Sequence, residues 1–211
     1  MPEPRNTVLI AGATGYLGRF LVAEYAAAGW NVRALVRNAA RAQELEAELF
    51  VGEATRPEDL PPAVEGVDLV VSALGITRQR DGLSYRDVDY QANLNLLRAA
   101  EAADVARFTY VHVLGAEKMR GVAGIDAKRA FVRALQASKI PETVIAPSGF
   151  FSDMEELFRM AQSGRVWLFG DGSTRLNPIH GADLAHALRL ATEAGQSWRD
   201  IGGPDVFTYS V

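Results

Sequence analysis

The sequence predicts an α/β fold: a Rossmann-like, mostly parallel sheet with helices on both faces and a small C-terminal extension on the substrate side. Three observations carry that prediction. Short continuous apolar runs, TVLIA (7–11) and DLVVSAL (68–74), suit strands covered on both faces. Segments with apolar residues at helical spacing alternate with such runs along most of the chain, which is the order of a parallel sheet. A glycine-rich turn, GATGYLG (12–18), joins the first strand to the first helix.

The elements follow in order. Thr7 to Ala11 forms the first strand, and Leu17, Leu21, Val22 and Tyr25 recur at helical spacing until Gly29 stops the helix. Val32 to Val36 is the second strand. An alanine- and glutamate-rich helix is expected over 39–49, with Phe50 and Val51 ending a short third strand. TRPEDLPPAVEG (55–66) reads as a short helix broken by prolines, ahead of the strand at 68–74 and the loop GITRQRDG (75–82). Val88, Ala92, Leu96, Leu97 and Ala100 line one face of a helix over 87–103, and RFTYVHVLG (107–115) returns to strand. Ala127, Phe131, Ala134 and Leu135 mark a helix over 126–138, and ETVIAP (142–147) is the sixth strand. Beyond it come an amphipathic segment at 152–163, two short extended pieces around GDGST, and a helix from Asp183 to Glu193. Residues 1–150 thus form the core, and 151–211 a partial cap integrated with it.

Composition narrows the function. A chain of 211 residues supports one well-packed domain with a small appendage. A formal charge of −4 without long runs of either sign provides no positive surface for a nucleic-acid backbone. Cysteine is absent, which removes disulfides, thiol nucleophiles and thiolate metal sites. Neither a secretory leader nor a membrane-length apolar run is visible, so a cytoplasmic protein without nucleic-acid or membrane partners is expected.

The glycine turn is the strongest local signal. Gly12, Gly15 and Gly18 sit where a diphosphate needs close backbone approach and the donors of a helix N-terminus, which predicts a bound dinucleotide contacted by Gly12, Thr14, Gly15, Tyr16, Leu17 and Gly18. The alternative is a structural glycine turn with an altered pocket. Cofactor preference follows from RALVRN at the end of the second strand. Arg37 is placed to meet an adenosine phosphate, with Arg33 as a helper, and no acid that would repel that phosphate occurs until Glu44. NADP(H) is therefore preferred and NAD(H) accommodated, against the reading that both arginines merely face solvent.

Taken together, GATGYLG, the arginine after ALV, SALG (72–75), VDYQANLNLLRAA, VLGA (113–116), the isolated Lys128, APSGFF (146–151) and NPIHGADLA (177–185) resemble the atypical and extended short-chain dehydrogenases. The likeness is greatest to NAD(P)-binding proteins similar to nucleoside-diphosphate-sugar epimerases and to nitrogen-regulator-like proteins. It implies that Ala73, Leu74 and Gly75 pass along the nicotinamide side, that Glu53 approaches adenine, that Lys128 holds the nicotinamide ribose, and that Pro147 lies beside the nicotinamide. It also implies an oxidoreductase acting on a small organic substrate.

The catalytic part of that pattern is damaged. Related reductases and epimerases use a tyrosine four residues before the lysine and a hydroxyl on the preceding strand end. Here those places hold Gly124 and His112. Lys128 and His112 remain as catalytic candidates, the latter because imidazole titrates near neutrality, although a strand residue packed under a loop is the competing account. Of the tyrosines, Tyr90 belongs to a helix interior and Tyr110 to a buried strand, leaving Tyr85 as a loose substitute. A rival function is a redox-sensing or scaffold protein that uses the dinucleotide as a ligand.

Other patterns carry less. His180, Asp183 and His186 do not share one compact helical face, so no metal is expected, and Asp183 reads as a residue of the helix N-terminus. Gly149, Phe150, Phe151, Met154, Leu157, Phe158 and Met160 are either core or one wall of an apolar substrate pocket with Trp167 and Phe169 at its rim. The chain lacks a serine-hydrolase nucleophile elbow and the lysine-ended turn of nucleoside triphosphatases. IGGPDVFTYSV falls where related chains begin another helix, which predicts a shortened or incomplete substrate side, covered by a second copy, a protein partner or nothing.

Overall fold

The computed structural model describes residues 6–76, 82–166 and 171–209. Among them, the central sheet has seven strands, all paired in parallel, in the order β3-β2-β1-β4-β5-β6-β8. These are β1 (Thr7–Ala11), β2 (Asn31–Val36), β3 (Glu48–Val51), β4 (Leu69–Ser72), β5 (Arg107–Val111), β6 (Glu142–Pro147) and β8 (Trp198–Ile201). The order reverses between β1 and β4. Their carboxyl ends therefore open a crevice, because the chain leaves them toward opposite sides.

Period-two alternation distributes the core. On one face of the sheet, Leu9, Ala11, Val70 and Phe108 pack under α2 (Pro61–Val64), α3 (Asn93–Ala102) and α4 (Ala123–Gln136). Val8, Ile10 and Val71 point the other way, against Leu17 and Leu21 of α1 (Tyr16–Ala27) and Leu184 and Leu188 of α6 (Gly181–Glu193). A short antiparallel pair, β7 (Arg175–Leu176) with β9 (Phe207–Thr208), and the helix α5 (Phe151–Gln162) lie outside this sandwich.

The α/β reading is thus the observed one, and β6 has the predicted bounds. The helix over 39–49 is not. Only a 3₁₀ turn, Ala39–Arg41, forms there, with the Asn38 carboxamide accepting from the Ala40 amide, and β3 already begins at Glu48. The proline-broken segment splits into a 3₁₀ turn, Pro57–Asp59, and α2. The helix expected from 87 begins with a π-helical stretch, Arg86–Ala92, that runs into α3. Of the extended pieces expected around GDGST, Arg175–Leu176 forms and pairs with Phe207–Thr208 near the end of the chain. Trp167, Phe169 and the Leu157 side chain lie outside the described residues.

Candidate functional site

The turn after β1 is held in shape by sterics. Gly12 adopts φ 84°, and a Cβ there would meet the Ala73 carbonyl at 2.9 Å. At Gly18 a Cβ would lie 2.0 Å from the Gly12 oxygen, so only glycine lets α1 pack down on the turn. Gly15 is different. Its Cβ would find only the Gly12 oxygen, at 3.2 Å, so the side toward the crevice is open backbone. No side chain caps the N-terminus of α1, and its first turn has no acidic residue, which leaves the amides and the positive end of the helix dipole available to an anion. These features fit a diphosphate.

A cleft of about 880 Å³ runs from this turn in both directions. It is lined at the turn by Gly12, Thr14, Gly15, Tyr16, Leu17 and Gly18. Toward β2 and β3 it is lined by Arg37, Asn38, Arg41, Glu53 and Thr55, and toward β4 and β5 by Ala73, Leu74, Gly75, Ile76, His112, Val113 and Lys128. Phe150, Ser152 and Asp153 complete the wall from the start of α5. Tyr16 links that wall to the turn: its ring meets Phe150 edge-on at 5.4 Å, and its hydroxyl accepts from the Gly181 amide at 3.2 Å.

Two expected contacts fall elsewhere. Arg33 lies in mid-strand, below the crevice, and its guanidinium donates to the carbonyls of Ala63 and Glu65, both at 2.9 Å, while facing Glu48 at 3.2 Å. It closes the end of α2 and does not line the cleft. Arg41 of the 3₁₀ turn lines it instead. Pro147 is buried at the end of β6, one strand beyond the crevice, with its carbonyl accepting from Leu114. Phe150, brought back by the parallel bridge to Ile179, reaches the cleft in its place.

Lys128 is positioned by a residue that sequence reading passed over. Asp89, 1 % exposed, holds the ammonium at 3.2 Å with one carboxylate oxygen and accepts from the Ile76 amide at 3.2 Å with the other. Tyr110 accepts from the same ammonium at 3.4 Å. Burial works against the charge on Lys128, but Tyr110 and Asp89 outweigh it and leave the lysine above its ordinary value. Burial also pushes Tyr110 up, so its phenol is neutral at physiological pH and Asp89 is the charged partner. Gly75 passes directly over this pair: a Cβ there would lie 2.9 Å from Asp89 and 3.0 Å from Lys128. The signal for Asp89 was present, since 89, 93, 96 and 100 fall on one helical face and the other three are buried too.

His112 follows β5 directly and is 2 % exposed, yet neither ring nitrogen has a hydrogen-bond partner among the described residues. The Trp198 ring meets it edge-on at 5.7 Å. Burial, with Lys128 beside it, lowers its pKa to about 4, so the imidazole is neutral at pH 7. Gly124, four residues before Lys128, faces Tyr85: a Cβ would lie 3.0 Å from that ring. Away from the cleft, His180 caps α6 by accepting from Ala182 at 3.3 Å, and His186, in mid-helix, bonds Glu24 of α1 at 2.9 Å.

A family model described as NAD(P)H-binding matches residues 12–189. The chain belongs to this NAD(P)H-binding family. Among its relatives are the photosystem II assembly factor Ycf39 of Synechocystis, 30 % identical over 92 % of this chain and 62 % of its own length, and that of Trieres chinensis, 34 % identical over 72 % and 48 %. The divinyl chlorophyllide a 8-vinyl-reductase of Arabidopsis thaliana is 27 % identical over 84 % of this chain and 48 % of its own length. The chain thus spans from about half to three-fifths of these curated relatives. Among solved structures, Citrobacter triphenylmethane reductase complexed with NADP(H) superposes with a TM-score of 0.78 at 22 % identity, covering 96 % of this chain and 72 % of that one. MoeE5 in complex with UDP-glucose and NAD gives 0.79 at 20 %, covering 97 % and 78 %. These likenesses show that the NAD(P)H-binding family's Rossmann-like architecture extends over nearly the whole chain. Among the described residues no helix is long and apolar enough to cross a membrane.

Proposed function

We propose that this chain binds NADP(H) in preference to NAD(H) and acts as an oxidoreductase on a small organic substrate. One observation carries the reading: a single cleft joins the bare glycine turn to two arginines at one end and to Lys128 and His112 at the other. The Gly15 backbone and the α1 N-terminus take the diphosphate. Arg37 and Arg41 meet the adenosine phosphate, whose charge a guanidinium pairs with through several donors. Glu53 and Thr55 flank adenine, and the Ala73–Gly75 backbone runs beside the nicotinamide half. Lys128, fixed by Asp89, holds the nearby ribose. When bound, the reduced dinucleotide supplies hydride. His112, neutral at pH 7, serves there as a hydrogen-bonding group and not as an imidazolium acid.

Fluorescence titration with NADPH and NADH tests the reading. Saturable binding with NADPH the tighter ligand is expected, and the absence of saturation with either refutes it. A second reading, a dinucleotide-responsive assembly protein, is favoured by the lack of a hydroxyl at 112 and 124 and by the likeness to Ycf39 assembly factors. Under it, affinity capture recovers a partner whose retention changes with NADP(H), and screens of carbonyl substrates give no turnover.

A further inference from the structure

Tyr16 belongs to two parts of the molecule at once. As the first residue of α1 it contributes one of the amides that a helix start leaves without an intrahelical acceptor, at the turn that fits a diphosphate. Its side chain, 39 % exposed, lines the same cleft and reaches from the turn to the starts of α5 and α6. The ring meets Phe150 edge-on at 5.4 Å and Phe20 edge-on at 5.3 Å, and the hydroxyl accepts from the Gly181 amide at 3.2 Å. Gly181 is the buried first residue of α6, and a Cβ there would overlap the Phe20 ring and lie 3.1 Å from that of Tyr16, so the helix starts directly against both rings. Phe150 follows β6 and is turned back to the cleft by Gly149, at φ 141°, and by its bridge to Ile179. Helix α5 does little to fix it there. Among the described residues of that helix none is fully buried, and Phe151 and Phe158 are 44 % and 64 % exposed, so few contacts beneath α5 set where Phe150 stands.

We infer that Tyr16 is a positioning residue: it fixes the distance between the diphosphate turn and the Phe150 wall, and so the width of the nicotinamide end of the cleft. The inference rests on the dinucleotide reading above and deepens it. Phe150 lies on the β4, β5 and β6 side of the point where the strand order reverses, the side on which that reading places the nicotinamide. With the ring contact and the hydrogen bond in place, a dinucleotide whose diphosphate settles on the α1 amides meets a wall already at the spacing its nicotinamide needs. Without them the diphosphate site persists, because its donors are backbone, but the wall must be ordered at the expense of binding.

The test compares NADP⁺ with 2′-phospho-ADP-ribose, the same molecule without its nicotinamide, by calorimetric titration of the full chain. Tyr16→Leu, which removes the ring edge and the hydroxyl, is expected to weaken NADP⁺ about three- to tenfold, the scale of one aromatic pair, and 2′-phospho-ADP-ribose by less than about twofold. Tyr16→Phe keeps the ring and gives up only the bond to Gly181; a loss of about two- to threefold, again confined to NADP⁺, is expected, and this variant decides the matter if the leucine form does not fold. Hydrogen exchange in Tyr16→Leu should rise at the amides of 150–154 and 179–182 and stay at the parent's level in β1. Equal losses for the two ligands would make Tyr16 a contact of the diphosphate alone, and unchanged NADP⁺ affinity in both variants would make it packing; either overturns the inference. Failure of the parent protein to bind NADP⁺ refutes the dinucleotide reading instead, so the two outcomes are distinct.

Discussion

Replacing Asp89 by asparagine keeps the shape of the side chain and an acceptor for the Ile76 amide, and removes the charge that faces the Lys128 ammonium at 3.2 Å. The carboxylate is 1 % exposed and the lysine side chain 17 %, so the abandoned ammonium gains little from water. Removing one partner of a buried pair costs roughly 3–5 kcal/mol, and the lysine's residual exposure favours the lower figure, about 3 kcal/mol. For a chain of 211 residues about 1 kcal/mol moves the melting temperature by roughly 2–4 °C, so a fall of about 6–12 °C is expected. Lys128→Met leaves a still more buried carboxylate unpaired and falls at least as far. The double variant, which places two uncharged groups where the pair stood, recovers most of the loss, because breaking a buried pair is costlier than replacing it. Urea unfolding at pH 7 of the four proteins, with unchanged denaturant slopes, gives the coupling energy. At least about 2 kcal/mol is expected by this reasoning. Single effects that add within about 0.5 kcal/mol would refute it, and would mean that Lys128 is not held by Asp89.

Stability should also fall below neutral pH on account of His112. Its folded-state pKa, about 4, lies below the unfolded value near 6.5, so the unfolded chain binds the extra proton; stability is full above about pH 6.5 and declines toward pH 4, by up to roughly 3 kcal/mol. Lys128 and Arg129 of α4 oppose the proton while Glu117 and Asp200 favour it, and His112→Phe should flatten that limb of the pH–stability curve. The two glycines of the turn should separate folding from binding. Gly15→Ala, whose Cβ meets only the Gly12 oxygen at 3.2 Å, should melt within about 2 °C of the parent yet lose tenfold or more in NADPH affinity, as expected for lost backbone approach, whereas Gly18→Ala, at 2.0 Å, should lose both. Arg37→Ala and Arg41→Ala should each weaken NADPH by about tenfold, one charge-assisted hydrogen bond, and NADH by little; equal losses for both cofactors in titration would remove the phosphate assignment.

Much of this was legible because the chemistry sits in local strings. β1, the glycine turn and α1 are contiguous, so the spacing of Gly12, Gly15 and Gly18 already implied the sterics that the Cβ distances show. What failed had non-local causes. Residues 39–49 are rich in helix formers, but only Ala42 among them is fully buried, so no apolar stripe holds a helix, and the Asn38 carboxamide tightens the chain into one 3₁₀ turn. β8 was missed because WRDI is an edge strand with every residue at least partly exposed. Arg33 and Arg37 look alike in sequence, yet four residues along a parallel strand separate the middle of the sheet from the crevice at its end. Arg41 became visible only when the chain's path brought it to the same cleft as Arg37.

The glycine at 124 then has a physical reason. Tyr85 and Asp89 stand four residues apart at the start of the helical segment that faces α4, and Gly124 and Lys128 stand four apart on α4 itself. The first member of each pair meets the other across the interface, the Tyr85 ring lying 3.0 Å from where a Cβ of residue 124 would be, and the second members form the buried ion pair. A Cβ at 124 would require the exposed Tyr85 ring to give by a few tenths of an ångström. Asp89 lies within the π-helical stretch Arg86–Ala92, a feature that recurs at functional sites, and Tyr85 immediately precedes it. Lys128 is therefore placed by the facing segment and not by a neighbour on its own helix. The position of the lysine does not depend on a phenol at 124, so Lys128 keeps its place in the cleft where the usual tyrosine is absent.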